Sequence, residues 1–245
     1  RGGFGAIAWL KLASIVRKAR GTLLVSAGVV ALVTVMMTVA FDGPSPQHVV
    51  AGAAMLALIG TFYLCAGLRF DFRTDLELME QIKAWPVRPT LVFLATLLPE
   101  VLLVSSALCA GILLRAAFTS EFHPAIFAVL ALQPLVTLAW VALDNAVFLF
   151  SPVRYSPGQE GALQHMGRSV VLMLLRAVLF GIVLIVAGGP AALAYYVVNG
   201  SLDYDATALS IAIVVTWTGL LAVDGLLLLL GGKMLQRFDV ARDKG

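Results

Sequence analysis

The chain has 245 residues, of which 60% are hydrophobic and 13% charged. A soluble domain carries about 25% charged residues, so this composition excludes an ordinary soluble fold and points to a lipid-embedded one. The formal net charge of +3 does not signal nucleic-acid binding, because no basic patch carries interleaved aromatics.

Residues 4–19 alternate apolar and basic side chains at helical spacing. Ile7 or Ala8, Trp9, Leu12, Ile15, Val16 and Ala19 give a wide apolar face, with Lys11, Arg17, Lys18 and Arg20 around it. Such a helix can lie in a membrane interface, with Trp9 at headgroup depth and its cations near anionic lipid. It can also be a simple extension of the first span. The chain opens with Arg1 in a basic stretch that is not a signal peptide. The expectation is that upstream residues have been removed or that this is one part of a longer polypeptide.

Six apolar segments follow, roughly 22–41, 48–68, 90–118, 125–149, 169–196 and 206–231. Each is long enough to cross a hydrocarbon core of ~30 Å as a helix, which needs ~20 residues. Backbone groups in lipid must be satisfied internally, and the weak ten-residue alternation of a barrel is absent. The fold class predicted is therefore all-α: a polytopic membrane bundle of six transmembrane helices. Asp42-Gly-Pro-Ser-Pro-Gln47 joins the first two spans tightly. Small residues at Ala53, Ala57 and Gly60 let a neighbouring backbone approach the second.

Between spans two and three lies an island of charge from Arg69 to Arg88. Thr74-Asp-Leu-Glu77 has the form of a capping box. The helix it starts runs to about Ala84 and ends at Trp85-Pro86, since a residue before proline avoids the α region. Leu76, Met79, Ile82 (or the stem of Lys83) and Trp85 share one face, and Asp75, Glu77, Glu80 and Gln81 occupy the rest. One apolar stripe on such a helix needs a surface to bury it. The candidates are the chain's own span ends, the lipid interface and a soluble partner, and the acidic residues disfavour anionic lipid. The third segment is expected to kink or break at Pro99-Glu100. The fifth is expected to be interrupted at Gly188-Gly189-Pro190, leaving 191–198 as a short re-entrant piece.

Lys and Arg set the orientation. All but two of the seventeen fall in the N-terminal tail, the loops after spans two and four, and the C-terminal tail. The loops at 42–47, 119–124 and 197–205 hold none, so the positive-inside rule places both termini in the cytoplasm. The exceptions, Arg115 and Arg176, lie within spans.

Four ionisable groups attract attention inside spans: Glu100, Asp144, Arg176 and Asp224. The last three share a depth on the order of 8–10 Å from the basic edge. Each would be costly in lipid, so Arg176 is expected to bridge Asp144 and Asp224, as a gating latch or as a permanent tie. Glu100, roughly 15 Å in by the same rise, can line a translocation path or sit buried in its neutral form.

No nucleotide-binding loop, zinc-protease helix, nucleophile elbow or paired-cysteine motif occurs. Gly225 to Lys233 has the wrong spacing for a phosphate loop, with Met234 where a hydroxyl should hold magnesium. His48, His123 and His165 are scattered and make no metal set, so no metal site is expected. Cys65 and Cys109 both fall in spans and read as apolar filler.

The island and one later element resemble the membrane subunits of bacterial ABC exporters, in particular the group of putative ABC exporter permeases. The likeness rests on Asp71-Phe-Arg-Thr-Asp75 followed by Lys83-Ala-Trp-Pro86, and on Asp144-Asn-Ala-Val-Phe-Leu-Phe-Ser-Pro-Val-Arg154 followed by Gly158 to Arg168. The order of elements agrees over nearly the whole chain. The resemblance implies one permease domain over 1–245: an interfacial helix at 1–21, a six-span bundle at 22–231, a coupling helix at 70–86 and a cytoplasmic tail at 232–245. It implies a multi-pass protein of the bacterial cytoplasmic membrane with no catalysis of its own. ATP and magnesium would be held by a separate cytoplasmic ATPase, and the chain itself would carry no cofactor. Asp71, Phe72, Arg73, Asp75, Leu76, Met79, Ile82, Trp85 and Pro86 would dock that ATPase. A second six-span unit would complete the path, as a dimer or as the other half of a twelve-span chain. The rival expectations are a gradient-driven secondary transporter and a membrane-embedded assembly factor or enzyme. Against the former, the sequence shows no inverted repeat with paired broken spans.

Overall fold

The computed structural model describes residues 3–18, 20–41, 46–68, 72, 83–120, 123–150, 162–202 and 205–238. Among them are seven helices and no strand: α1 (Gly3–Lys18), α2 (Arg20–Ala40), α3 (Pro46–Leu68), α4 (Pro89–Thr119), α5 (Pro124–Phe150), α6 (Ala162–Leu202) and α7 (Asp205–Arg237). The last six coincide with the six apolar segments of the sequence. Pro46, Pro89 and Pro124 each stand at a helix start, where a missing N–H is no loss. Among the described residues, five helices are long and apolar enough to cross a membrane. In α3 the apolar stretch among the described residues is the shorter Val50–Ala66.

Two expected breaks are absent. α6 runs unbroken for 41 residues through Gly188-Gly189-Pro190, so 191–198 is not a separate re-entrant piece. α4 likewise continues through Pro99. In lipid, ending a helix exposes several backbone groups, whereas a proline frees one carbonyl, so continuing is the smaller penalty.

The chain divides into two compact units, Arg1–Val141 and Ala142–Gly245, with α5 running from the first into the second. In the first unit α1, α2 and α3 all pack on α4, and α2 also packs on α3. Lipid tails are as apolar as leucine, so close packing rather than water exclusion holds such helices together. Ala53, Leu56 and Ala57 of α3 form a buried cluster with Ile112 and Ala116 of α4 and Ile126 of α5. Gly60 lies against Leu108, where a Cβ would overlap the leucine side chain. Small residues on α3 thus provide the close approach expected of them.

These contacts also set the register. Val30 and Thr34 of α2 stand level with Gly111 of α4, each 3.0 Å from where its Cβ would be. Counting back along both helices at ~1.5 Å per residue brings Arg20 level with Pro99. Counting along α3 from Gly60, which is level with Leu108, brings Leu68 level with Glu100. The basic ends of α2 and α3 therefore stop partway along α4. The first three turns of α4 extend past them, and α1 packs there.

The second unit contains the end of α5 with α6 and α7, which pack along each other. Val183, Ala187 and Ala191 of α6 and Leu220, Leu227 and Leu235 of α7 are among its buried apolar residues. At Gly219 the two helices approach closely, because a Cβ there would come within 2.9 Å of the Ala187 carbonyl oxygen.

Candidate functional site

The charged island is fixed to the protein at both flanks. At its start, the Phe72 ring stacks on Phe93 in the projecting part of α4, with centroids 5.5 Å apart and planes 12° from parallel. Both rings are fully buried. At its end, Lys83 is helical, Ala84 turns, and Trp85 to Val87 bend into α4, in line with the expected stop at Trp85-Pro86. The Val87 N–H donates to the Trp85 carbonyl at 2.7 Å, and the Leu91 and Val92 N–H groups donate to the Arg88 carbonyl. Val87 and Trp85 also pack at Gly3, the start of α1. Trp85 is half-buried and Pro86 exposed. The other expected docking residues, Asp71, Arg73, Asp75, Leu76, Met79 and Ile82, lie outside the described residues, as does most of the 70–86 helix.

Glu100 is 3% exposed. Its expected depth of ~15 Å counts from the start of its own helix. The register places Glu100 level with the basic ends of α2 and α3. It stands where α1 hands over to α2 and where α3 ends, beside the helix proline Pro99.

In the second unit the expected three-membered bridge is a pair. Arg176 Nε lies 2.7 Å from Asp144 Oδ1, with both side chains partly exposed. Asp224 is 2% exposed, and both of its carboxylate oxygens are buried without a hydrogen-bond partner among the described residues. The Gly219–Ala187 contact puts Asp224 level with about Ile182, which leaves Arg176 six residues, or ~9 Å, further along α6.

Two sets of contacts were not expected from the sequence. Arg115 is 1% exposed at the far end of α4, its guanidinium lying over Gly52 of α3 and its Nη2 donating to the Phe41 carbonyl after α2 at 3.4 Å. It ties three helix ends together. Gln133 of α5 donates through Nε2 to Thr61 of α3 at 3.0 Å and to Thr137 at 3.1 Å. Both threonine hydroxyls donate in turn to helix carbonyls, Ala57 at 2.7 Å and Gln133 at 2.9 Å. The only hint of Gln133 was an amide inside an apolar segment.

Among the described residues no group of three His, Cys, Asp or Glu side chains converges as a metal set would. What is assembled is packing contacts and paired charges.

No protein-family model matches the chain, and neither does any curated protein or solved structure. Length, composition and helix packing define the class: an all-helical, multi-pass membrane protein.

Proposed function

We propose that this chain is the membrane-spanning permease subunit of an ATP-driven exporter of the ABC type. In this reading it has six spans and both termini in the cytoplasm of a bacterial cell, and it joins a second six-span unit. A separate ATPase binds ATP and magnesium and presses on the island at 70–86. The observation that carries the reading is the double anchoring of that island. Phe72 is packed on α4 and Trp85–Val87 on the start of α1, so a push on the island reaches two helices at once. Pro99 in α4, level with the basic ends of α2 and α3, is where the projecting turns of α4 could bend against the spans.

The test is purification of the chain from its native membranes in mild detergent. The reading predicts a stoichiometric soluble ATPase that is lost with Leu76→Asp plus Met79→Asp while membrane insertion persists. Unchanged ATPase binding in that variant would remove the docking assignment. Asp224 favours a second reading, a gradient-driven carrier, because a carboxylate buried without a partner is a common device for binding a proton or cation in transport. That carrier would purify without an ATPase, and its transport would stop when the ion gradient is collapsed.

A further inference from the structure

α1 has two apolar faces. One is buried: Ile7 and Ile15 are shielded as the helix packs on α4. The other is open: Trp9 is 70% exposed, Leu10 65% and Val16 45%. With Ala6 and Ala13 these residues recur every three or four positions, so they form a single stripe over three turns. Scattered exposed apolar residues are ordinary, but a continuous stripe with Trp at its centre calls for a cover.

Two further observations say what covers it. The first is charge. Residues 1–41 contain five Lys and Arg and no Asp or Glu. Arg17 is exposed on the same side as the stripe, and Lys18 and Arg20 follow directly. The second is position. Only residue 19 separates α1 from α2, and Gly21–Ala40 is long and apolar enough to cross a membrane. The cationic end of α1 is therefore held at the edge of a span, where a bilayer surface would lie.

We propose that the outer face of α1 is an anionic-lipid binding site. Trp9, Leu10 and Val16 enter the headgroup region of the leaflet at the basic end, and Arg17 faces its phosphates. Indole rings favour that depth, and each cation near an anionic surface gives about a fivefold preference over a neutral one. Because Ile7 and Ile15 hold the opposite face to α4, lipid binding also holds α1 in place beside the projecting turns of α4. The proposal requires only that α2 spans a membrane, and it stands or falls independently of an ATPase partner.

The experiment uses the full chain reconstituted in bilayer nanodiscs. Tryptophan quenching is read with phosphatidylglycerol or phosphatidylcholine brominated near the headgroup, at equal mole fraction, and with aqueous iodide. Subtracting the Trp9→Phe signal isolates Trp9 from Trp85, Trp140 and Trp217. The expected result is at least about twofold stronger quenching by the brominated phosphatidylglycerol, lost with Arg17→Gln plus Lys18→Gln. High salt should erode the same preference in the unaltered chain, as screening of exposed charges requires. Equal quenching by the two lipids would overturn the anionic site. Quenching by iodide but not by either lipid would overturn the lipid assignment altogether and hand the stripe to water or a protein partner.

Discussion

Replacing Phe93 by alanine tests whether the charged island is seated on α4. Phe72 and Phe93 are both fully buried, and their rings stack at 5.5 Å. Truncating a buried Phe to Ala typically costs about 3–5 kcal/mol, through lost packing and an incompletely closed cavity. About 0.5–1.5 kcal/mol of that belongs to the ring pair itself. The clean readout is a double-mutant cycle of Phe72→Ala, Phe93→Ala and both, with unfolding followed in mixed micelles as denaturing detergent is added. The double variant should lose about 1 kcal/mol less than the sum of the single losses, because the pair can be broken only once. Additivity within about 0.3 kcal/mol would mean that Phe72 does not rest on Phe93, and the lever from the island to α4 would be gone.

Other expectations follow from particular contacts. Asp144→Asn leaves Arg176 without its 2.7 Å counter-ion and should destabilise the second unit by about 2–3 kcal/mol, while Asp144→Asn with Arg176→Gln recovers much of the loss; the same detergent titration reads both. Gly219→Val should push α6 from α7 at the Ala187 carbonyl and cost about 1–3 kcal/mol, and it should lower the yield of a disulfide engineered between the two helices. Gln133→Leu removes the two hydrogen bonds that join Thr61 and Thr137, but both hydroxyls keep their carbonyl partners. Its cost should therefore stay near about 1 kcal/mol, in keeping with polar contacts between membrane helices, and a loss above about 3 would show that the network carries more than these bonds.

The existence of the helices was legible because apolar runs near ~20 residues stand between loops marked by proline and cations. Their ends were less so. Gly188-Gly189-Pro190 reads as a break in any soluble helix, yet α6 continues, because stopping in lipid would strand more backbone groups than one proline does. Depth arithmetic brought Asp144 and Arg176 together but overreached for Asp224. Residue counting from a span's end gives a level only if the ends of neighbouring helices align, and α6 and α7 align at Gly219 and Ala187 instead. Glu100 lies well inside α4 and yet level with the basic ends of α2 and α3, because those ends do not align with the start of α4. Arg115 and Gln133 act through partners on other helices, which no spacing along one helix reveals. On α1 the sequence marked one wide apolar face, whereas packing divides it between α4 and the outside.

The central claim is that a cytoplasmic ATPase seats on the island, and cross-linking in the cell tests it most directly. Pro86 is exposed at the island's end, so a photo-activated amino acid placed there points away from the protein. Illumination of intact cells should give one dominant adduct, between this chain and a soluble ATPase, and the adduct should weaken with Leu76→Asp plus Met79→Asp. Adducts with lipid alone, from a variant that inserts normally, would contradict the account and move attention to Asp224 and a gradient-driven mechanism.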